Sequence, residues 1–135
     1  MKVLNREVQP FVGIIIEKIE ELNFRAREIS LNSLISVFKH PKVEIKFLID
    51  SLMEITEKGP FPDKAPWRII LGRLEILHKA ILNFGVDPKK WDWSSVLQNL
   101  VIRSLLNANA EVRVIAIEIV LLFYQIFGKD IRQRI

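Results

Sequence analysis

The chain has 135 residues, enough for one domain that buries most of its apolar side chains. Half of the residues are hydrophobic and 27% are charged, which excludes a disordered or fibrous chain, and a net charge of +4 is compatible with an acidic protein surface or weak nucleic-acid contact and too small to identify either. There is no cysteine, so there is neither a disulfide framework nor a thiolate metal site, and a reducing, cytoplasmic setting fits.

No basic start followed by an apolar run and a small-residue cleavage site opens the sequence. The apolar runs at 12–16 and 114–124 fall short of the roughly 20 residues a membrane span needs, so a soluble protein is expected. Residues 1–9 are a polar lead-in. Pro10 suits the first turn of a helix, where its missing N–H is not needed. Val12, Ile15, Ile16, Ile19 and Leu22 then keep helical spacing. A second helix is predicted from Arg25, with Ile29, Ser30, Leu34, Val37 and Phe38 as its stripe, ending at His40 before Pro41. A third opens at Pro41 and shows Ile45, Leu48, Ile49, Leu52 and Ile55.

The long connection 57–66 holds three prolines and a glycine and cannot continue a helix. Pro66 opens the fourth helix, whose face is Ile70, Leu74, Leu77, Ile81 and Phe84, with Gly85 as a left-handed stop. Asp92 or Ser94 caps the fifth, with Leu97, Leu100, Val101 and Leu105 inward, and Trp91 or Trp93 staples its end. After a polar turn at 107–110, the sixth runs to Phe127 with Val112, Ala116, Ile119, Val120, Phe123 and Phe127 inward, and Gly128 ends it. No stretch reads as a strand.

The even-numbered helices open alike. An apolar residue precedes each of Arg27, Arg68 and Arg113, which stand 41 and 45 residues apart, and a buried-type residue follows three positions on. Helix pairs repeating every 40–47 residues are the signature of HEAT or armadillo arrays. The fold class expected is therefore all-α: a right-handed α-solenoid of three HEAT-type pairs at about 10–40, 41–85 and 92–128, forming one domain over 1–135 and part of a longer array. Each pair leaves an apolar face that its neighbour must cover, so the ends of the stack are candidates for self-association.

The last repeat, Leu106-Asn107-Ala108-Asn109-Ala110-Glu111-Val112-Arg113 followed by Ala116, Tyr124 and Gly128, resembles that of a TOG domain, the HEAT-type array that binds tubulin. The order of features along the chain is similar to TOG arrays of ciliary-tip and centriole proteins. The resemblance covers most of the chain, at three repeats of a family with about six. It implies a non-enzymatic module that binds tubulin and microtubules in a cytoskeletal setting, at a cilium tip or centriole. Contact would be made through the loops joining the two helices of each repeat, here 23–27, 57–68 and 107–113. The tryptophan that many TOG domains insert belongs to the first repeat of a full array, and Trp67 does not correspond to it.

Each candidate residue has a structural alternative. Arg27 and Arg113 occupy a position at which HEAT arginines pair with an acid of the next repeat. Asn23, Arg25, Lys58, Lys64 and Arg68 lie in the loops and would meet an acidic partner, or are simply solvated. Trp67 either anchors a partner or plugs the groove between repeats. Asn107 and Asn109 read as turn and cap residues whose side chains still reach a partner. His40 and His78 lack companion ligands, the five glycines are scattered, and no nucleophile stands near a base, so no metal, cofactor or catalytic site is expected. Acids and bases alternate along the helices, which disfavours a nucleic-acid partner. The alternative function is a HEAT scaffold for another protein, or for a second copy, without tubulin binding.

Overall fold

The computed structural model describes residues 12, 14–16, 19, 24–53 and 66–128. Pro10, Leu22, Asn23, Ile55, the loop 57–65 with Lys58 and Lys64, and the tail 129–135 lie outside the described residues. The described elements are all helical. Val12, Ile16 and Ile19 are helical and buried, as their spacing predicts. They are followed by α1 (Phe24–Phe38), α2 (Ile45–Met53), α3 (Trp67–Phe84), α4 (Trp93–Val96), a wider turn at Leu97–Val101, α5 (Ile102–Ser104) and α6 (Ala110–Phe127).

Two expectations about the first pair of described helices need correction. The buried face of α1 is Leu31, Leu34, Ile35 and Phe38, whereas Ile29 keeps 63% of its surface exposed. Both stripes share Leu34 and Phe38 and both keep helical steps, and burial selects the one that begins at Leu31. Pro41 does not open a helix either. Lys39 N–H donates to Ile35 O, His40 N–H to Val37 O and Val43 N–H to His40 O, so 39–43 curls into consecutive tight turns. This curl buries Val43, and α2 begins only at Ile45, with Leu48, Ile49 and Leu52 inward.

Helix α3 is central. It touches α1, α2 and α6, and Ile70, Leu71, Gly72, Arg73, Leu74, Ile76, Leu77, Ala80 and Ile81 are all buried along it. Its polar residues are placed to serve its neighbours. Glu75 meets Arg27 and Lys79 meets Glu28, both on α1, while His78 meets Glu118 on α6. Position numbers rise together in each set of pairs, since Glu75 also feels the charge of Glu111 on α6. Thus α1, α3 and α6 run in the same direction, and their starts face one way.

Helix ends follow local chemistry. Gly85 (φ 70, ψ −161) stops α3 and Gly128 (φ 58) stops α6, each donating its N–H four residues back, to Ile81 O and Tyr124 O. Asp92 caps α4 by accepting from Ser95 N–H. The turn at Leu97–Val101 is wide because Ile102 N–H reaches Leu97 O, five residues back. That extra residue lets Val96, Leu97, Leu100, Val101 and Ser104 all be buried, with Ser104 Oγ donating to Leu100 O at 2.7 Å. Trp91 and Trp93 are both buried, so the staple at this helix start is double. The Trp93 ring stacks on Phe127 with centroids 3.9 Å apart, and the Trp91 ring meets Phe123 edge-on at 6.4 Å.

Candidate functional site

The helix starts carry the candidate residues, and the structure sorts these by whether their polar atoms are already engaged. Arg27 points inward and donates from Nη2 to Glu75 Oε1 at 2.8 Å, with both side chains mostly buried. Burial pushes the Glu75 carboxyl above its ordinary value; Arg27 pulls it back down, and the neighbouring Glu28 and Glu111 push it further up. Beside this pair, Lys79 reaches Glu28 at 3.3 Å and Asn32 Oδ1 at 3.4 Å. The pairs tie α1 to α3 at a defined register.

Arg113 is engaged differently. Among the described residues it meets no acid of another helix, and it donates from Nη1 to the carbonyl oxygens of Asn107 and Ala108, both at 2.8 Å. A guanidinium on two backbone carbonyls closes the turn that precedes α6. The same turn uses both asparagines. Asn107 Oδ1 accepts from Asn109 N–H at 2.9 Å, and Asn109 Oδ1 accepts from the N–H groups of Glu111 and Val112, capping α6. Asn107 fills the turn role and Asn109 the capping role expected of them, with both side-chain oxygens bonded to local backbone.

Arg25 remains exposed at the start of α1. At the start of α3, the Trp67 indole keeps 38% of its surface in solvent, and the Arg68 guanidinium lies 5.3 Å from the ring centroid. A plug between helices would be buried as Trp91 and Trp93 are. The turn before α6 adds Leu106, 90% exposed, which the sequence places in the last-repeat motif but not among the candidate contact residues. The available signal was its place one step beyond the apolar period of the preceding helix, next to a polar turn.

Sequence reasoning also passed over Arg73. It stands in the buried run of α3 and donates from Nη1 to the carbonyls of Ser51 and Leu52, at 3.0 and 3.1 Å. Both carbonyls belong to the last described turn of α2, so Arg73 ties that turn to the middle of α3. An arginine beside Gly72 in the middle of an apolar helix was the signal for it.

Among the described residues, no three His, Asp or Glu side chains gather as metal ligands. No helix among them is long and apolar enough to cross a membrane. What the helix starts present is a mixed surface: cations at Arg25 and Arg68, the exposed carboxylate of Glu111, and apolar side chains at Trp67 and Leu106. Such a surface suits a protein partner bearing carboxylates around an apolar patch. Comparison of the chain with protein-family models, with curated proteins and with solved structures finds no match in any of the three.

Proposed function

We propose that this chain is a non-enzymatic HEAT-type α-solenoid module that binds tubulin through the edge formed by the starts of its second helices. One observation carries the reading. α1, α3 and α6 run the same way, and at their starts Arg27 and Arg113 are engaged internally while Arg25, Trp67, Arg68 and Leu106 stay exposed. The three-pair stack and the TOG likeness belong to this proposal. Lys58 and Lys64 lie outside the described residues and enter the proposal from the sequence alone, as two further cations between α2 and α3. Their charge speeds encounter with an acidic surface, and Trp67 and Leu106 supply the desolvated contact that slows departure. A cytoskeletal location, at a cilium tip or centriole, follows from the same reading.

Gel filtration with soluble tubulin at low salt tests it. The wild type is expected to shift into the tubulin peak, and Arg25/Lys58/Lys64→Glu to elute as free protein. Co-elution of both to the same extent overturns the assignment of the edge.

A second reading, association with another copy, is favoured by α6. Val114, Ile117, Leu121 and Tyr124 are 55, 50, 55 and 46% exposed on the side opposite Val112, Ala116, Ile119 and Phe123. Their spacing is symmetric about Ile119. Two antiparallel copies of α6 therefore set Val114 against Tyr124 and Ile117 against Leu121, as a two-fold interface requires. The four side chains expose roughly 400 Å² per copy, below the area of a stable interface, so the dimer is weak. Light scattering across a concentration series distinguishes the readings: a reversible dimer abolished by Leu121→Glu supports this one, and a monomer at all concentrations rejects it.

A further inference from the structure

At the opposite end of the helices a groove of about 960 Å³ opens between the turn after α1 and the turn after α3. Neither turn belongs to the edge proposed to meet tubulin. The floor is apolar, made by Phe38, Phe84 and Trp91. The rim is basic: Lys39 from one turn and Lys89 and Lys90 from the other, all exposed. Among the described residues, none of these three pairs with a carboxylate.

Of the other lining charges, one cation is paired and one carboxylate is bonded to backbone but stays anionic. Lys46 reaches Asp50 at 3.5 Å, and Asp87 is turned back to accept from Lys89 N–H at 3.0 Å. Glu44 is the remaining carboxylate on the rim. The turns are held in shape before any ligand arrives, since Lys90 N–H donates to Asp87 O and Val43 N–H to His40 O. A preformed cleft with apolar walls and a few converging charges has the anatomy of a binding site, at the upper end of the usual size.

We infer that this groove binds an acidic peptide segment of a partner protein, with carboxylates on Lys39, Lys89 and Lys90 and one apolar side chain against Phe38 and Phe84. The three lysines come from two turns 50 residues apart in sequence, so the site exists only in the folded chain. The Glu44 carboxylate breaks the basic rim and would repel a continuous run of phosphates. A peptide can leave an uncharged residue at that point, which favours it over nucleic acid.

Fluorescence anisotropy of a labelled acidic nonapeptide with one central phenylalanine is the test. Binding is expected to be saturable and salt-dependent, to weaken about tenfold in Lys39/Lys89/Lys90→Glu, and to weaken about threefold when serine replaces the phenylalanine. Because all three lysines are exposed, the variant should keep the wild-type melting curve. Arg25/Lys58/Lys64→Glu should bind the peptide as the wild type does, which keeps this site distinct from the tubulin edge. Unchanged binding by the lysine variant overturns the inference, as does an oligothymidylate of equal charge binding as tightly as the peptide.

Discussion

Glu75 shows how a buried pair can fix register without adding stability. Its carboxyl is desolvated, and Arg27 at 2.8 Å offsets that only in part, so its folded value stands above the ordinary 4.5. A carboxyl raised on folding contributes stability that is fully present below the unfolded value and is lost as the pH rises through the folded one. Wild type should therefore lose stability relative to Glu75→Gln as the pH is raised through that window. Paired urea titrations at several pH values check this, and a constant difference contradicts it. Arg27→Ala leaves the carboxylate buried without its partner and should cost about 1–3 kcal/mol at neutral pH in the same assay. Asn109 is simpler: its side chain caps two N–H groups of α6, and Asn109→Ala should cost about 1 kcal/mol.

Gly85 and the aromatic group govern the second half of the chain at the scale of elements. Gly85 sits at φ 70 and ψ −161, where a side chain is strained, although a Cβ there would meet nothing within 4 Å. Gly85→Ala should thus cost about 1–3 kcal/mol through backbone conformation alone. Phe123 is wholly buried among Trp91, Trp93 and Phe127, and Phe123→Ala should cost about 3–5 kcal/mol in thermal or urea unfolding. The ends of α3 and α6 were legible because glycine at a helix terminus has one main use. The core stripes of α3 and α6 were legible in part: Ile70, Leu74, Leu77 and Ile81, and Val112, Ala116, Ile119 and Phe123, are buried as their spacing predicts, but burial of Leu71, Ile76 and Ala80 and exposure of Val114, Ile117 and Leu121 are tertiary outcomes. The start of α2 was not, because a proline can open a helix or hold a turn, and burial of Val43 decides between them. Ile29 was misplaced because α1 offers two overlapping apolar stripes and only tertiary contacts choose one. The wide turn at Leu97–Val101 has no local sign, since it answers to packing on several sides of one short segment.

For the whole molecule, three same-direction helices give two ends with different characters. One end gathers exposed cations and two exposed apolar side chains; the other holds a basic groove over an aromatic floor. The candidate site was partly legible. Arg25, Trp67 and Arg68 stand exposed where loop position placed them, but sequence does not tell a guanidinium that faces a partner from one, like Arg113, that closes its own turn. Leu106 was read as part of the repeat motif and not as a contact, because exposure of a leucine is a tertiary property. As an exposed residue it should separate binding from stability: Leu106→Ala is expected to weaken partner binding while shifting unfolding free energy by less than about 0.5 kcal/mol. The proposed hold on tubulin at the helix starts is open to test by interferometry on immobilised tubulin dimers, titrating wild type, Arg25/Lys58/Lys64→Glu and Lys39/Lys89/Lys90→Glu at low and physiological salt. Binding that weakens with salt, falls about tenfold in the first variant and is kept in the second is the predicted result. Absence of wild-type binding at low salt, or equal binding by wild type and the first variant, would contradict it.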